Sequence, residues 1–454
     1  MKHIIIYIPF LISLLSGMLL VSICTRKNQD MSFFMKTFLA AGIGLGLSAQ
    51  ITYLSFLFLN QLNLFFIMLF HAGMLFTLFI IKLLLKNDSL SEFPIKNISF
   101  ALLSGTLLVV LFLFIYPLWQ YAKFYPHGGW DAWQVWNFKA KFLHLSGDTW
   151  TNLFKPMMWR TSPHYPLLLP LINVWGWAMS NQPVSVIPLA TSIIFTILTA
   201  GLLFLGLLQN TKSYFSTFAP LTFLTLPFYN IIATSQYCDI VLSFYLFASL
   251  LCLHSFLLSN QPSYTALAGF FIGFLSFTKP EGSIAAGILF LLGGSAIFLH
   301  SKNKAWPQKR SPLLVFCLAV LATAALTVAF QLVHSPGNQT YVNGLFSSEK
   351  PVTFLRLNII FSFLWRELAN PHWNKIWGLL GVGIILSKGR CFLGKRAIFP
   401  LFIFIYMFIV TAYYIINTNF EIIWWLNVTL FRIYFSLLPV FTYWIFESLL
   451  SRHK

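Results

Sequence analysis

PLLLPLINVWGWAM, residues Pro166 to Met179, is the run on which the topology of this chain turns. It is apolar, but it has only about 14 residues, contains Pro166 and Pro170, and ends in Trp175 and Trp177. A crossing helix needs about 20 apolar residues to cover a ~30 Å hydrocarbon core, and proline interrupts the helical hydrogen-bond ladder. The run therefore reads as an interfacial or re-entrant helix with its tryptophans at headgroup level. Counting it as a crossing would invert the loop at Lys212 and everything up to residue 300.

Outward from this run the chain is nearly continuous hydrocarbon. Hydrophobic residues make up 58% of 454 and charged residues 9%. Apolar runs recur near 4–24, 37–59, 64–86, 98–118, 186–208, 216–236, 240–258, 264–279, 283–300, 312–333, 373–388, 397–416 and 426–447. The expectation is an all-α polytopic membrane protein with about 13 transmembrane helices, plus amphipathic juxtamembrane helices in the first large outer loop. The net charge of +18 does not indicate nucleic-acid binding, because Lys and Arg sit in short loops between apolar runs. There they act as topology signals. Clusters at 25–36, 82–96, 301–310 and 388–396 should face the cytoplasm, placing the N-terminus outside and the C-terminus inside. The run Ile4 to Cys24 is too long for the core of a signal peptide and reads as a retained span. The five cysteines show neither disulfide nor metal-ligand spacing.

With that parity, the segments 119–185, 237–239, 279–282, 334–372 and 417–425 share the outer face. A further surface helix is expected around Thr353–Leu368. Only eleven carboxylates exist. Asp131, Asp148, Asp239, Glu281, Glu349, Glu367 and Glu421 fall outside, and these are the candidates for a general base. Asp131 follows Gly128-Gly129-Trp130 and opens an expected amphipathic helix, Asp131–Leu145, whose Trp133, Trp136, Phe138 and Phe142 would float at the lipid boundary. It reads either as that helix's cap or as a chemical group, and the two are compatible.

Asp239, in SQYCDIVLSF, is close to hydrocarbon, where a lone carboxylate costs roughly 2.5–3.5 kcal/mol. Such a group is paired, functional, or at a helix boundary. In Thr278-Lys279-Pro280-Glu281-Gly282 a tight reversal carries both charges, Lys279 and Glu281, toward the outer surface. Arg432 lies about six residues, hence ~9 Å, inside the last span. It reads as a snorkelling residue or as a bidentate partner for phosphate oxygens. Lys139, Lys141, Arg160, His164, Arg356 and Arg366 add outer cations, many of them interfacial anchors.

In order, GWDAWQVWNFKAKFL, SPHYPLLLPL, the isolated Asp239, TKPEG and LNVTLFRIYFSLLP resemble the membrane-embedded glycosyltransferases of the C fold. The likeness is to bacterial relatives of the protein O-mannosyltransferase and aminoarabinose transferase group, glycosyltransferase family 39, and covers roughly residues 98–447. It implies three additional N-terminal helices in 1–97 and a transferase core in 98–454 with outer loop 119–185. It also implies transfer of a sugar from a polyprenyl-phosphate donor to an acceptor hydroxyl, with inversion, at the outer face of a bacterial inner membrane. The acceptor is a lipid, glycan or protein, and membrane lipids surround the site.

Under that resemblance Asp131 matches the catalytic aspartate of the first outer loop and Asp239 the second-loop aspartate, with Glu281 a supporting acid. Lys279 and Arg432 would bind the donor phosphate, and Lys139, His164 and Tyr165 would contact donor or acceptor. Many relatives carry a second acid beside the first-loop aspartate, whereas Ala132 follows here, which leaves a divalent metal open. Their TKNEG motif is TKPEG in this chain through Pro280. Two other classes stay open from the residues alone. A lipid or sugar transporter (a flippase) would also need buried charges, though transporters favour repeated halves and broken helices at mid-membrane. A surface polysaccharide polymerase or ligase would use the outer loop 334–372 with His334, Arg356, Arg366 and His372.

Overall fold

The computed structural model describes residues 6–26, 28, 31–85, 112–114, 116–180, 182–300, 306–336 and 352–451, with the side chains of 306–310 left undescribed. The expected span 98–118, most of the basic loop 301–310, Asp30, Asp88, Glu92 and Glu349 fall wholly or partly outside these residues.

Every regular element among the described residues is helical. Among the described residues eight helices are long and apolar enough to cross a membrane: Phe33–Leu59, Leu64–Leu84, Val186–Thr211, Cys238–Ser259, Pro280–His300, Ser311–Val333, Gly394–Ile416 and Ile422–Leu450. The chain is therefore a multi-pass membrane protein. The expected span 216–236 is a pair of helices, Tyr214–Leu224 and Pro227–Thr234, bent by 73°. Pro227 supplies no N–H to continue the first segment, and the Asn230 side-chain amide donates to the Leu224 carbonyl at 2.9 Å in compensation. The expected spans 4–24, 264–279 and 373–388 appear as shorter helices, Ile8–Cys24, Ser263–Ser276 and Ile376–Leu386.

Cys238–Ser259 is apolar all round, and it is correspondingly the buried axis of the bundle. It packs on Val186–Thr211, Ser263–Ser276, Pro280–His300 and Ile422–Leu450. Leu64–Leu84 shows the opposite arrangement. Its Phe65, Leu69, Phe76 and Leu83 are exposed, as suits a lipid-facing helix. Phe33–Leu59 belongs to the interior: the Tyr245 hydroxyl donates to Gly42 O at 2.8 Å, and the Gln50 amide donates to Thr323 O. Ile8–Cys24 lies so close to it that a Cβ on Gly44 would sit 1.8 Å from Ser13 O and one on Gly17 1.9 Å from Ala40 O. This small-residue contact is sealed by Ser13 and Ser48, whose hydroxyls are 2.7 Å apart.

The run at residues 166–179 is a 13-residue apolar helix, Leu168–Ser180, enclosed by protein and not lipid-facing. Leu168 to Trp177 are buried among Phe33–Leu59, Asn137–Leu145 and Val186–Thr211. Its tryptophans are core donors instead of headgroup anchors, with Trp175 bonded to Pro9 O at 3.1 Å and Trp177 to Val184 O at 2.8 Å.

The loops sort to two ends. At one end Gly129 N donates to Ser235 O, Leu168 N to Phe277 O, and Trp150 Nε1 to Asn60 Oδ1. At the other, Arg26 reaches Leu85 O, His300 meets Asn260, and Arg396 pairs with Glu447. The expected surface helix is present as Phe354–Leu368, capped by Thr353 and exposing Phe354, Leu355, Phe361 and Trp365.

Candidate functional site

Five charged residues from four separated segments meet at the first of these ends. The Arg432 Nη1 donates to Asp131 Oδ2 at 2.5 Å, and the Arg432 Nε lies 4.0 Å from Asp239 Oδ2. Lys279 Nζ bonds Asp239 Oδ1 at 3.0 Å and approaches Glu281 Oε1 at 3.4 Å. The result is one alternating ion chain: Asp131, Arg432, Asp239, Lys279, Glu281.

Each member is positioned by a local device. Gly128, at φ +77°, and Gly129, whose N–H is bonded to Ser235 O, bring the chain against the broken span. A Cβ on Gly129 would meet the Tyr237 hydroxyl at 2.4 Å. Asp131 makes no cap hydrogen bond and has helical dihedrals, so its carboxylate is directed to Arg432 instead of to the backbone. The helix continues through a π-wound stretch, Ala132–Trp136, into Asn137–Leu145. Asp239 sits in the first turn of the axial helix and is 1% exposed. Lys279 precedes Pro280, which opens the next helix. Arg432 stands ten residues after Ile422, where its helix begins, or ~15 Å along it. That is deeper than expected, because Glu421 caps Ile423 and Trp424 and starts the helix earlier. At this depth Arg432 is paired, with its guanidinium 4.6 Å from the Tyr237 ring centroid. It is not snorkelling.

Burial opposes the charge on Lys279, but the carboxylates of Asp239 and Glu281 outweigh it and hold the ammonium above its ordinary pKa. Three polar atoms of the ion chain have no hydrogen-bond partner: Asp239 Oδ2, Glu281 Oε2 and Arg432 Nε. Asp239 Oδ2 and Arg432 Nε face one another across the 4.0 Å ion pair.

Lys139, His164 and Tyr165 form a second group. Lys139 is fully buried and donates to Ser162 O at 2.6 Å and Tyr165 O at 3.2 Å, tying the loop to its helix. Burial lowers its pKa to about 7. Burial, with the nearby Lys139 charge, lowers that of His164 to about 3. The Lys139 ammonium therefore serves as a staple within loop 119–185. Trp136, expected at the lipid boundary, is 2% exposed and packs on Tyr165. Trp133 and Phe138 do face outward.

Two other outer carboxylates, Glu367 and Glu421, have structural duties. Glu367 accepts from Trp373 Nε1 at 2.8 Å and pairs with His372, and Glu421 is the helix cap. Sequence reasoning missed Tyr237 and a chain of buried amides behind Asp131. Asn137 Nδ2 donates to Gln236 Oε1 at 2.7 Å, Asn173 Nδ2 to Asn137 Oδ1 at 3.2 Å, and Thr191 to Asn173 at 3.1 Å. The signal for them in the sequence is the polar Gln236-Tyr237 pair beside Asp239 between two apolar runs. Among the described residues no group of three or more His, Cys, Asp or Glu side chains is arranged to hold a metal ion. No family model, curated protein or solved structure matches this chain.

Proposed function

We propose that the protein is a glycosyltransferase of the C-fold type, moving a sugar from a polyprenyl-phosphate donor to an acceptor hydroxyl at the outer face of a bacterial inner membrane. The bent pair Tyr214–Leu224 and Pro227–Thr234, the three short helices and residues 98–118 would complete its expected set of about 13 crossings. One observation carries the reading: the acids and bases singled out for base and phosphate chemistry, separated by up to 301 positions, form a single ion chain at one end of the bundle.

In the proposed reaction Asp131 takes the proton of the acceptor hydroxyl as its oxygen attacks the anomeric carbon. The bond from that carbon to the phosphate oxygen breaks, and its electron pair leaves on the lipid phosphate. Displacement from the opposite face inverts the sugar. Arg432 and Lys279 stabilise the charge gathering on the leaving phosphate, which is usually a large contribution to catalysis. Asp239 and Glu281 hold the two cations. The acceptor, whether lipid, glycan or protein, is left unspecified by this chemistry.

The test is transfer from a labelled polyprenyl-phosphate sugar by the purified protein. Asp131→Asn should reduce transfer by on the order of 10²–10⁴ at equal membrane abundance. Activity within a few-fold of wild type would eliminate Asp131 as the base. A transporter is the second reading, favoured by the 73° break between Tyr214–Leu224 and Pro227–Thr234. Movement of the labelled lipid across vesicles without release of sugar would select it.

A further inference from the structure

We infer that Asp131 and the donor phosphate exchange on one guanidinium, so that phosphate binding at Arg432 releases the carboxylate that acts as base. The inference rests on the proposed function and adds an order of events to it. Arg432 is the fixed partner. Its guanidinium lies over the Tyr237 ring at 4.6 Å, its backbone carbonyl accepts from Ser436 Oγ at 2.9 Å, and Asp239 flanks Nε at 4.0 Å. The Nη1 that would fork a phosphate is already taken by Asp131 Oδ2 at 2.5 Å. A guanidinium has two forked edges, and here each one faces a carboxylate: Asp239 flanks the edge through Nε at 4.0 Å and Asp131 holds the edge through Nη1, so a phosphate can fork Arg432 only where one carboxylate gives way.

Charge points the same way. Asp131, Asp239 and Glu281 against Lys279 and Arg432 leave one negative charge in excess when all five are ionised. A phosphate entering beside an unmoved Asp131 would place four anions around two cations. Departure of Asp131 removes that repulsion, and its side chain, 28% exposed, has an outlet to water that Asp239, at 1%, lacks.

The backbone allows the movement. Gly128 and Gly129 precede Asp131, and Ala132–Trp136 after it is the π-wound stretch among the described residues. A π-turn carries one extra residue, and rewinding it as α-helix turns the preceding residue by about 100° around the axis. The same swing that frees Arg432 frees Asp131 Oδ2, which in the ion pair accepts from Nη1. The acceptor hydroxyl thus finds that oxygen available only after the leaving group is in place.

The experiment measures affinity for farnesyl phosphate in lipid nanodiscs, with farnesol as the phosphate-free control. Asp131→Asn removes the competitor and should bind farnesyl phosphate about tenfold or more tightly than wild type, a gain that disappears in an Arg432→Gln background. Equal affinity of wild type and Asp131→Asn, or the same gain in Arg432→Gln, overturns the exchange. If neither wild type nor Asp131→Asn prefers farnesyl phosphate to farnesol, the proposed function itself falls, a result distinct from failure of the exchange.

Discussion

Asp239 lies between two cations with 1% of its side chain exposed, bonding Lys279 with one oxygen and facing Arg432 with the other. Removing one partner of a buried ion pair leaves an uncompensated charge and costs about 3–5 kcal/mol. Asp239→Asn should therefore lower thermal stability clearly, because Lys279 and Arg432 then repel one another across a neutral amide. Asp239→Asn combined with Lys279→Met should recover part of the loss, because the second change removes the stranded ammonium. Thermal unfolding in detergent, followed by intrinsic tryptophan fluorescence, reads both, and a double variant no better than the single would mean that Lys279 finds another anion. At this scale the sequence is informative for a simple reason: a charge in an apolar chain is expensive, so Asp131, Asp239, Lys279, Glu281 and Arg432 stand out. Their pairing is not legible there, since no local pattern relates position 131 to position 432. Nor is the burial of Lys139, whose partners are backbone carbonyls and carry no signature in residue type.

Helices meet here through features that residue type only half reveals. The run from Pro166 to Met179 forms the short helix Leu168–Ser180, and its tryptophans, which suggest the lipid boundary, lie in the protein core. Tryptophan suits both an interface and a core in which its N–H finds a carbonyl, and the structure supplies Pro9 O and Val184 O. The bend at Pro227 replaces what periodicity reads as one continuous run, because hydropathy is blind to a kink. The contact of Ile8–Cys24 with Phe33–Leu59 gives a sharp test. A Cβ at Gly44 would lie 1.8 Å from a backbone oxygen, which no rotamer change relieves. Gly44→Val should separate the two helices at a cost of at least about 1–3 kcal/mol. Gly73→Val, where nothing lies within 4 Å of the added carbon, should be tolerated. Comparing the yield of folded, monodisperse protein for the two variants checks this.

For the whole molecule, membrane class and the sorting of loops to two ends are readable from hydropathy and from Lys and Arg positions. The three-dimensional arrangement agrees: the segments expected together, around 131, 239, 279 and 421–432, gather at one end, and Arg26, His300, Arg396 and Glu447 lie toward the other. Impermeant thiol labelling of intact cells tests which end faces outward. With Cys24, Cys238, Cys252, Cys317 and Cys391 replaced, Asp148→Cys should label and Gln261→Cys should not. The reverse pattern would put the ion chain on the cytoplasmic side and withdraw the lipid-linked donor with it.

The 301-residue separation of Asp131 and Arg432 also has a consequence in time. A chain made and inserted from its N-terminus delivers Asp131, Asp239, Lys279 and Glu281 to the bilayer long before Arg432 is synthesised. Until the last helix docks, three carboxylates share a single ammonium near the hydrocarbon boundary. Insertion of the final helix is thus the event that closes the electrostatics of the whole bundle, and a nascent chain halted before residue 422 is a natural substrate for membrane quality control.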